Sequence, residues 1–205
     1  AASSATGRLT KIKASVDSKG FIQALDYDQI DDVGAYPRAP EPASLYRMHG
    51  NLSGAYKVKN IRCRNRVILT NKTPSGLNRG FGGPQHYFAL ERLVHQIAVE
   101  LKLNVLDVIK INLLEKNQFP YKSPSGALID SGNFQKLVKK VIESSTYKKI
   151  LKNKNDSIKN GKIYGIGYSA IIEPSISNMG YVTTALPYQD REKTGHKGGA
   201  LASTS

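Results

Sequence analysis

The chain has 205 residues, 40% of them hydrophobic and 22% charged, with a formal net charge of +14 at pH 7. That is long enough for one sizeable core or two small ones, in the composition range of ordinary folded domains. A single cysteine, Cys63, excludes an internal disulfide and any paired-cysteine metal site.

Residues Leu9 to Val16 ("LTKIKASV") alternate, then come the turn "DSKG" and a second extended run, "FIQALDYDQI". This pattern predicts a β-hairpin. Residues 31–56 read as loop, because "YPRAPEP" holds three prolines in seven residues. Asp28, Asp31 and Asp32 read as turn and solubility residues at the strand exit. "KVKNIRCRNRVILTN" returns to strand, with Ile61, Cys63, Val67 and Leu69 as the inward positions. After the loop "KTPSGLNRGFGG", Pro84 suits the first helical position. Phe88, Leu90, Val94, Ile97, Ala98 and Leu101 then recur at helical steps, and "VLDVIKINLLEK" predicts a short second helix.

A Pro/Gly/Ser loop, "NQFPYKSPSGALIDSG", precedes a lysine-rich helix from about Asn133 to Lys152. Its lysines alternate with Leu137, Val138, Val141, Ile142, Ile150 and Leu151, which places them on a solvated face. Residues 153–161 read as a surface linker, and "IYGIGYSAIIE" as a buried strand. Residues 189–205 read as a polar, weakly ordered tail, leaving 1–188 as the folded part. The expected fold class is α+β, a two-layer sheet with helices packed on one face. Strands near 9–28, 57–70 and 162–173 should form the sheet, with helices 85–102 and 133–152 above it. Val94, Ile97, Leu101, Leu137 and Val141 should be buried. No apolar run is long enough to span a membrane, and the polar start "AASSATG" is no secretory signal. A cytoplasmic setting fits, and the lack of an initial methionine suits a segment of a longer chain.

Conventional catalytic sets and metal-ligand spacings are absent. His49, His86, His95 and His196 are scattered, and His86 and His95 fall on opposite faces of one helix. The notable stretch is "NRGFGGPQHYFALERL", residues 78–93. Arg79-Gly80-Phe81-Gly82 matches the opening of an RNA-binding strand signature, which would make the chain a basic nucleic-acid-binding module using Arg79 and Phe81. Gly83 and Pro84 follow, however, and a strand cannot continue through them. Glycines ahead of a helix start, with an arginine beside them, suit an anion better. Judged locally, a plain glycine turn remains open as well.

The order of "DDVGAY", "VILTNKTPSGLNRGFGGPQHYFALERLVHQIAVEL", "INLL", "QFPYKSPSG" and "DSGNF" resembles the molybdenum hydroxylases. These are the xanthine dehydrogenase, aldehyde oxidase and carbon monoxide dehydrogenase relatives. The resemblance covers roughly residues 9–175 and falls in the molybdopterin-binding large subunit, as an internal segment. It implies that Arg79 and Gly80 lie against a Mo-molybdopterin cofactor, the cytosine dinucleotide form being one variant. It implies that Phe81 faces the substrate, joined by Tyr168 and Ser169 from "GIGYSA". The implied reaction inserts a water-derived oxygen into a C–H bond of an aldehyde or N-heterocycle. Electrons would leave through 2Fe-2S clusters to FAD on partner subunits or domains. The implied partners are the remainder of the large subunit, those iron–sulfur and flavin modules, and a small-molecule substrate, with no membrane and no nucleic acid.

Two departures stand out. Asn78 replaces the aromatic expected before the arginine. Gly80 stands where carbon monoxide dehydrogenases proper carry a copper-holding cysteine, so a protein of that branch with another activity is the alternative within the family. No catalytic glutamate and no metal ligand is assigned in the segment, which should be inactive alone.

Overall fold

Two alternating runs build the hairpin: β1 (Gly7–Val16) pairs antiparallel with β2 (Ile22–Asp32), with a register shift at Ser15/Val16. The turn between them is tied by Asp17, whose Oδ1 accepts from the amides of Lys19 and Phe21, both at 2.9 Å. A third strand, β3 (Asn60–Ile68), joins β2 in parallel, so the sheet order is β1-β2-β3. The structure, a computed structural model, describes residues 5, 7–37, 47–80 and 82–172. The tail expected at 189–205 and His196 lie outside the described residues.

The two faces of β2 differ. Leu25, Tyr27, Gln29 and Asp31 are buried on one face. On the other, Asp26 is bonded to Arg62, Asp28 to Arg66, and Asp32 to Lys72 and Thr70. The aspartates expected as turn residues are therefore strand residues, because β2 runs on through Asp32. Asp31 is the sharpest correction. Arg8, its cross-strand partner, reaches both carboxylate oxygens at 2.6 and 2.9 Å, and Asn65 Nδ2 donates to the same group at 2.9 Å. A forked donor pair and an amide together offset the cost of burying that charge.

Helix α1 (Gly83–Glu100) lays Leu90, Val94, Ile97 and Ala98 into a core shared with Ile22, Leu25 and Tyr27. Pro84 is its second residue, within one place of the expectation. The helix ends in a paired closure: Lys102 takes a positive φ of 55°, its N–H reaches Val99 O at 3.1 Å, and Leu103 N–H reaches Ala98 O at 2.8 Å. Asn104 then caps α2 (Val105–Asn112) by accepting from Leu106 N at 2.8 Å. At the far end of α2 the buried Asn112 accepts from Ile22 N and donates to Gly20 O, both at 2.8 Å, which locks the hairpin turn onto the helix.

Several expectations fail here. Cys63, Val67 and Leu69 are exposed, because β3 is an edge strand of the sheet, whereas Ile61 in the same row is partly buried against the core. The lysine-rich helix is two: α3 (Phe134–Glu143) and α4 (Ser145–Lys159), split at Ser144, whose Oγ accepts from Tyr147 N at 3.1 Å. Leu137 and Val141 are exposed, since α3 turns Phe134 and Val138 toward the core instead. Leu101 is only partly buried. The supposed linker at 153–161 is exposed but helical through Lys159. The supposed strand at 162–173 joins no sheet over its described residues, up to Ile172. A two-residue pair, β4 (Tyr121–Lys122) with β5 (Leu128–Ile129), lies in the predicted loop. Among the described residues no helix is long and apolar enough to cross a membrane.

Candidate functional site

The loop before α1 explains its own glycines. Gly80 has φ +95°, and a Cβ there would sit 2.7 Å from Pro84 Cδ and 2.9 Å from Pro84 Cγ. A side chain is thus excluded both by backbone conformation and by space. Gly82 caps α1 at φ 80° with no side-chain acceptor, and no acidic residue stands in the first turn. Asn78, the departure noted above, accepts from Arg79 N at 2.9 Å and so braces the loop locally. Phe81 lies outside the described residues. The helix that follows excludes the RNA-binding strand signature.

Beside this loop runs a groove of about 890 Å³, lined by Arg79, Gly80 and Pro84 at one end and Ile166, Tyr168 and Ser169 at the other. The structure therefore brings Arg79 and Gly80 together with Tyr168 and Ser169, from distant parts of the chain. Phe88, the first residue of the apolar repeat read from the sequence, also lines the groove and is 77% exposed. Arg79 additionally borders a smaller hollow of about 130 Å³ with Gly82 and Gln85. Another hollow, of about 590 Å³, lies on the sheet by Lys13, Asp26 and Arg62 and includes none of the expected site residues.

The groove's far wall is the 162–172 segment, and polar side chains of α1 hold it there. Ala170 N donates to Glu91 Oε2 at 3.0 Å. Glu91 also accepts from Tyr56 Oη, at 3.0 and 2.9 Å to its two oxygens. Tyr87 Oη donates to the carbonyl of Ile172. His95 Nε2 lies 2.7 Å from Tyr168 O and 3.3 Å from Tyr168 N. The shorter contact makes that nitrogen the donor to the carbonyl, and a donating nitrogen cannot also accept from the amide. The His95 and Tyr168 rings stack at 6.3 Å, and Tyr147 Oη sits 3.2 Å from Tyr168 Oη.

Burial sets the local acid–base behaviour. It pushes the Glu91 carboxyl up to about 7, against the pull of the Ala170 and Tyr56 donors. Burial, with the Tyr147 contact, pushes the Tyr168 hydroxyl up to about 12. His86 is on the opposite side of α1 from the groove, as its spacing from His95 predicted. It packs between Tyr27 and Tyr87, and burial followed by the nearby Arg8 and His49 charges pushes it down to about 3. Among the described residues no group of three or more metal-ligating side chains occurs. Glu91, Tyr87 and His95 were missed from sequence. Their signal was present as a polar stripe at steps of four along a helix, but burial cannot be read from spacing alone.

A glycine-built helix start with an arginine at its edge thus borders an open groove. The molybdopterin cofactor-binding domain family matches residues 1–113, more than half of the chain. The chain belongs to that family. It is 25% identical to the nicotine 6-hydroxylase large subunit of Paenarthrobacter nicotinovorans over 88% of this chain and 22% of that one. It is 28% identical to the carbon monoxide dehydrogenase large chain of Hydrogenophaga pseudoflava, over 62% of this chain and 16% of that one. Bovine aldehyde oxidase 1 shares 31% identity over 68% of this chain and 10% of its own. The chain thus spans less than a quarter of the length of either of the first two relatives. Quinoline 2-oxidoreductase from Pseudomonas putida 86 superposes with a TM-score of 0.68 at 24% identity, covering 77% of this chain and 20% of that one, which establishes the shared fold.

Proposed function

We propose that this chain is a segment of the molybdopterin-binding large subunit of a molybdenum hydroxylase that oxidises an aldehyde or an N-heterocycle with water-derived oxygen. The observation that supports it best is the groove joining the Arg79–Gly80 loop to Tyr168 and Ser169. In this reading the sheet and α1 form two layers of the domain, with the groove beside the helical layer. Arg79 and Gly80 hold the Mo-molybdopterin: the guanidinium meets its negative charge, and the missing Cβ lets the backbone come close. When bound, that group supplies the two-electron oxidation. Phe81, Tyr168 and Ser169 face the substrate. Tyr168 offers an amphipathic ring that stays protonated at neutral pH, and Ser169 a hydroxyl that can donate or accept. The remaining large subunit, with iron–sulfur and flavin modules on partners in a cytoplasmic setting, completes the enzyme.

The roles separate experimentally in the full-length subunit. Arg79→Ala should lower bound molybdenum and turnover on every substrate, weakening cofactor binding about tenfold to a hundredfold, as loss of a charge-assisted hydrogen bond does. Phe81→Ala should leave molybdenum content near normal and reduce discrimination among substrates. Full molybdenum content with unchanged turnover in Arg79→Ala would overturn the reading.

A further inference from the structure

Tyr87, Glu91 and His95 stand at successive steps of four along α1, which sets them about 6.0 Å apart along the axis. Their partners Ile172, Ala170 and Tyr168 are alternate residues of a chain running the opposite way. Two residues of extended backbone advance about 6.6 Å. The two repeats therefore stay matched over three rungs, with a mismatch of roughly 1 Å by the last.

In an extended chain the N–H and C=O of one residue point to the same edge, and those of its neighbours to the other. All three contacts accordingly fall on one edge of the segment. We infer that Tyr87, Glu91 and His95 act together as a helical substitute for a strand edge, fixing the register of residues 168–172 and hence which side chains line the groove. They are positioning residues. Glu91 is itself anchored by Tyr56, and His95 adds a ring stack that orients Tyr168. In the observed register Ser169 and Ile171 line the groove and Ala170 and Ile172 pack on the core, while Tyr168 reaches both. A slip of one residue would exchange these sets and put Ala170 where the hydroxyl now stands. Tyr87, Glu91 and His95 also border the groove, so they would shape it, and with it specificity, through the register of the segment as well as directly. The last step rests on the proposed function; the register itself does not.

Amide hydrogen exchange in the full-length subunit tests the register without any cofactor. Glu91→Ala should speed exchange at Ala170 at least about tenfold while the β2 amides of Leu25 and Tyr27 keep their protection. Glu91→Gln should restore most of it, because an amide oxygen still accepts. Unchanged Ala170 exchange in Glu91→Ala, or no rescue by Gln, would overturn the proposal. Should Glu91→Ala fail to fold, His95→Ala carries the same expectation, loosening 168–172 while β2 stays protected. In enzyme loaded with cofactor, His95→Ala should raise KM about tenfold at unchanged molybdenum content. Faster exchange with an unaltered KM would refute the link to specificity, yet leave the molybdenum reading to the Arg79 experiment.

Discussion

Glu91 and His86 are two buried titratable groups, five positions apart on one helix, and burial moves them in opposite directions. The Glu91 carboxyl is raised from its usual 4.5 to about 7. Folding therefore favours its protonated form, and its contribution to stability is complete below pH 4.5 and lost as pH rises toward 7. His86 is lowered from 6.5 to about 3, so its contribution is complete above pH 6.5 and lost as pH falls toward 3. Each slope is at most about 1.4 kcal/mol per pH unit. Between pH 4.5 and 6.5 the two oppose, and together they leave stability nearly level. Glu91→Gln removes one side of the balance. Urea unfolding of that variant should lose about 2 kcal/mol more than the wild type on going from pH 6.5 to 4.5. Parallel pH profiles for the two proteins would show that Glu91 does not carry the shift. Nothing in the sequence marks either residue as buried; only the helix on which they stand was legible.

At the scale of elements, periodicity told truth where one face is packed and misled where it is not. The apolar repeat of α1 placed Val94 and Ile97 correctly, because sheet and helix bury that face. Ile97→Ala should cost about 2–4 kcal/mol in chemical denaturation, through lost burial and the cavity left behind. The same repeat in α3 gave a real helix but the wrong inward residues. Leu137 is 61% exposed, so Leu137→Ala should change stability by no more than about 0.5 kcal/mol. The break at Ser144 was written in the sequence as a capping residue, yet the lysine-and-apolar pattern runs straight through it. The 162–172 segment reads as a strand because it is rich in apolar and aromatic residues. It is not one, because side chains of α1 supply the partners that a neighbouring strand would have given.

For the molecule as a whole, the charge of +14 is less a nucleic-acid footprint than a distribution. Part of it is paired on the sheet by Asp26, Asp28 and Asp32, and Lys136, Lys139, Lys140, Lys148 and Lys149 lie on the exposed faces of α3 and α4. The motif order carried the family, whereas the groove needed three dimensions, since its two ends are far apart in sequence. That long-range wiring begins in the sheet. The β1–β2 hairpin closes over residues 17–21, but β3 reaches β2 only after residues 33–59. Closing the longer loop costs about 1.5 kcal/mol more in chain entropy. The hairpin is therefore the cheaper first contact, and the parallel strand a later addition. In stopped-flow experiments, Ile12→Ala on β1 should mainly slow folding, and Ile61→Ala on β3 should mainly speed unfolding. The reverse assignment would mean that β3 is already docked at the barrier. As the hairpin forms first, the edge of β2 that β3 later occupies is left open while the chain folds, and its row of aspartates gives that edge a charge that repels another copy of itself.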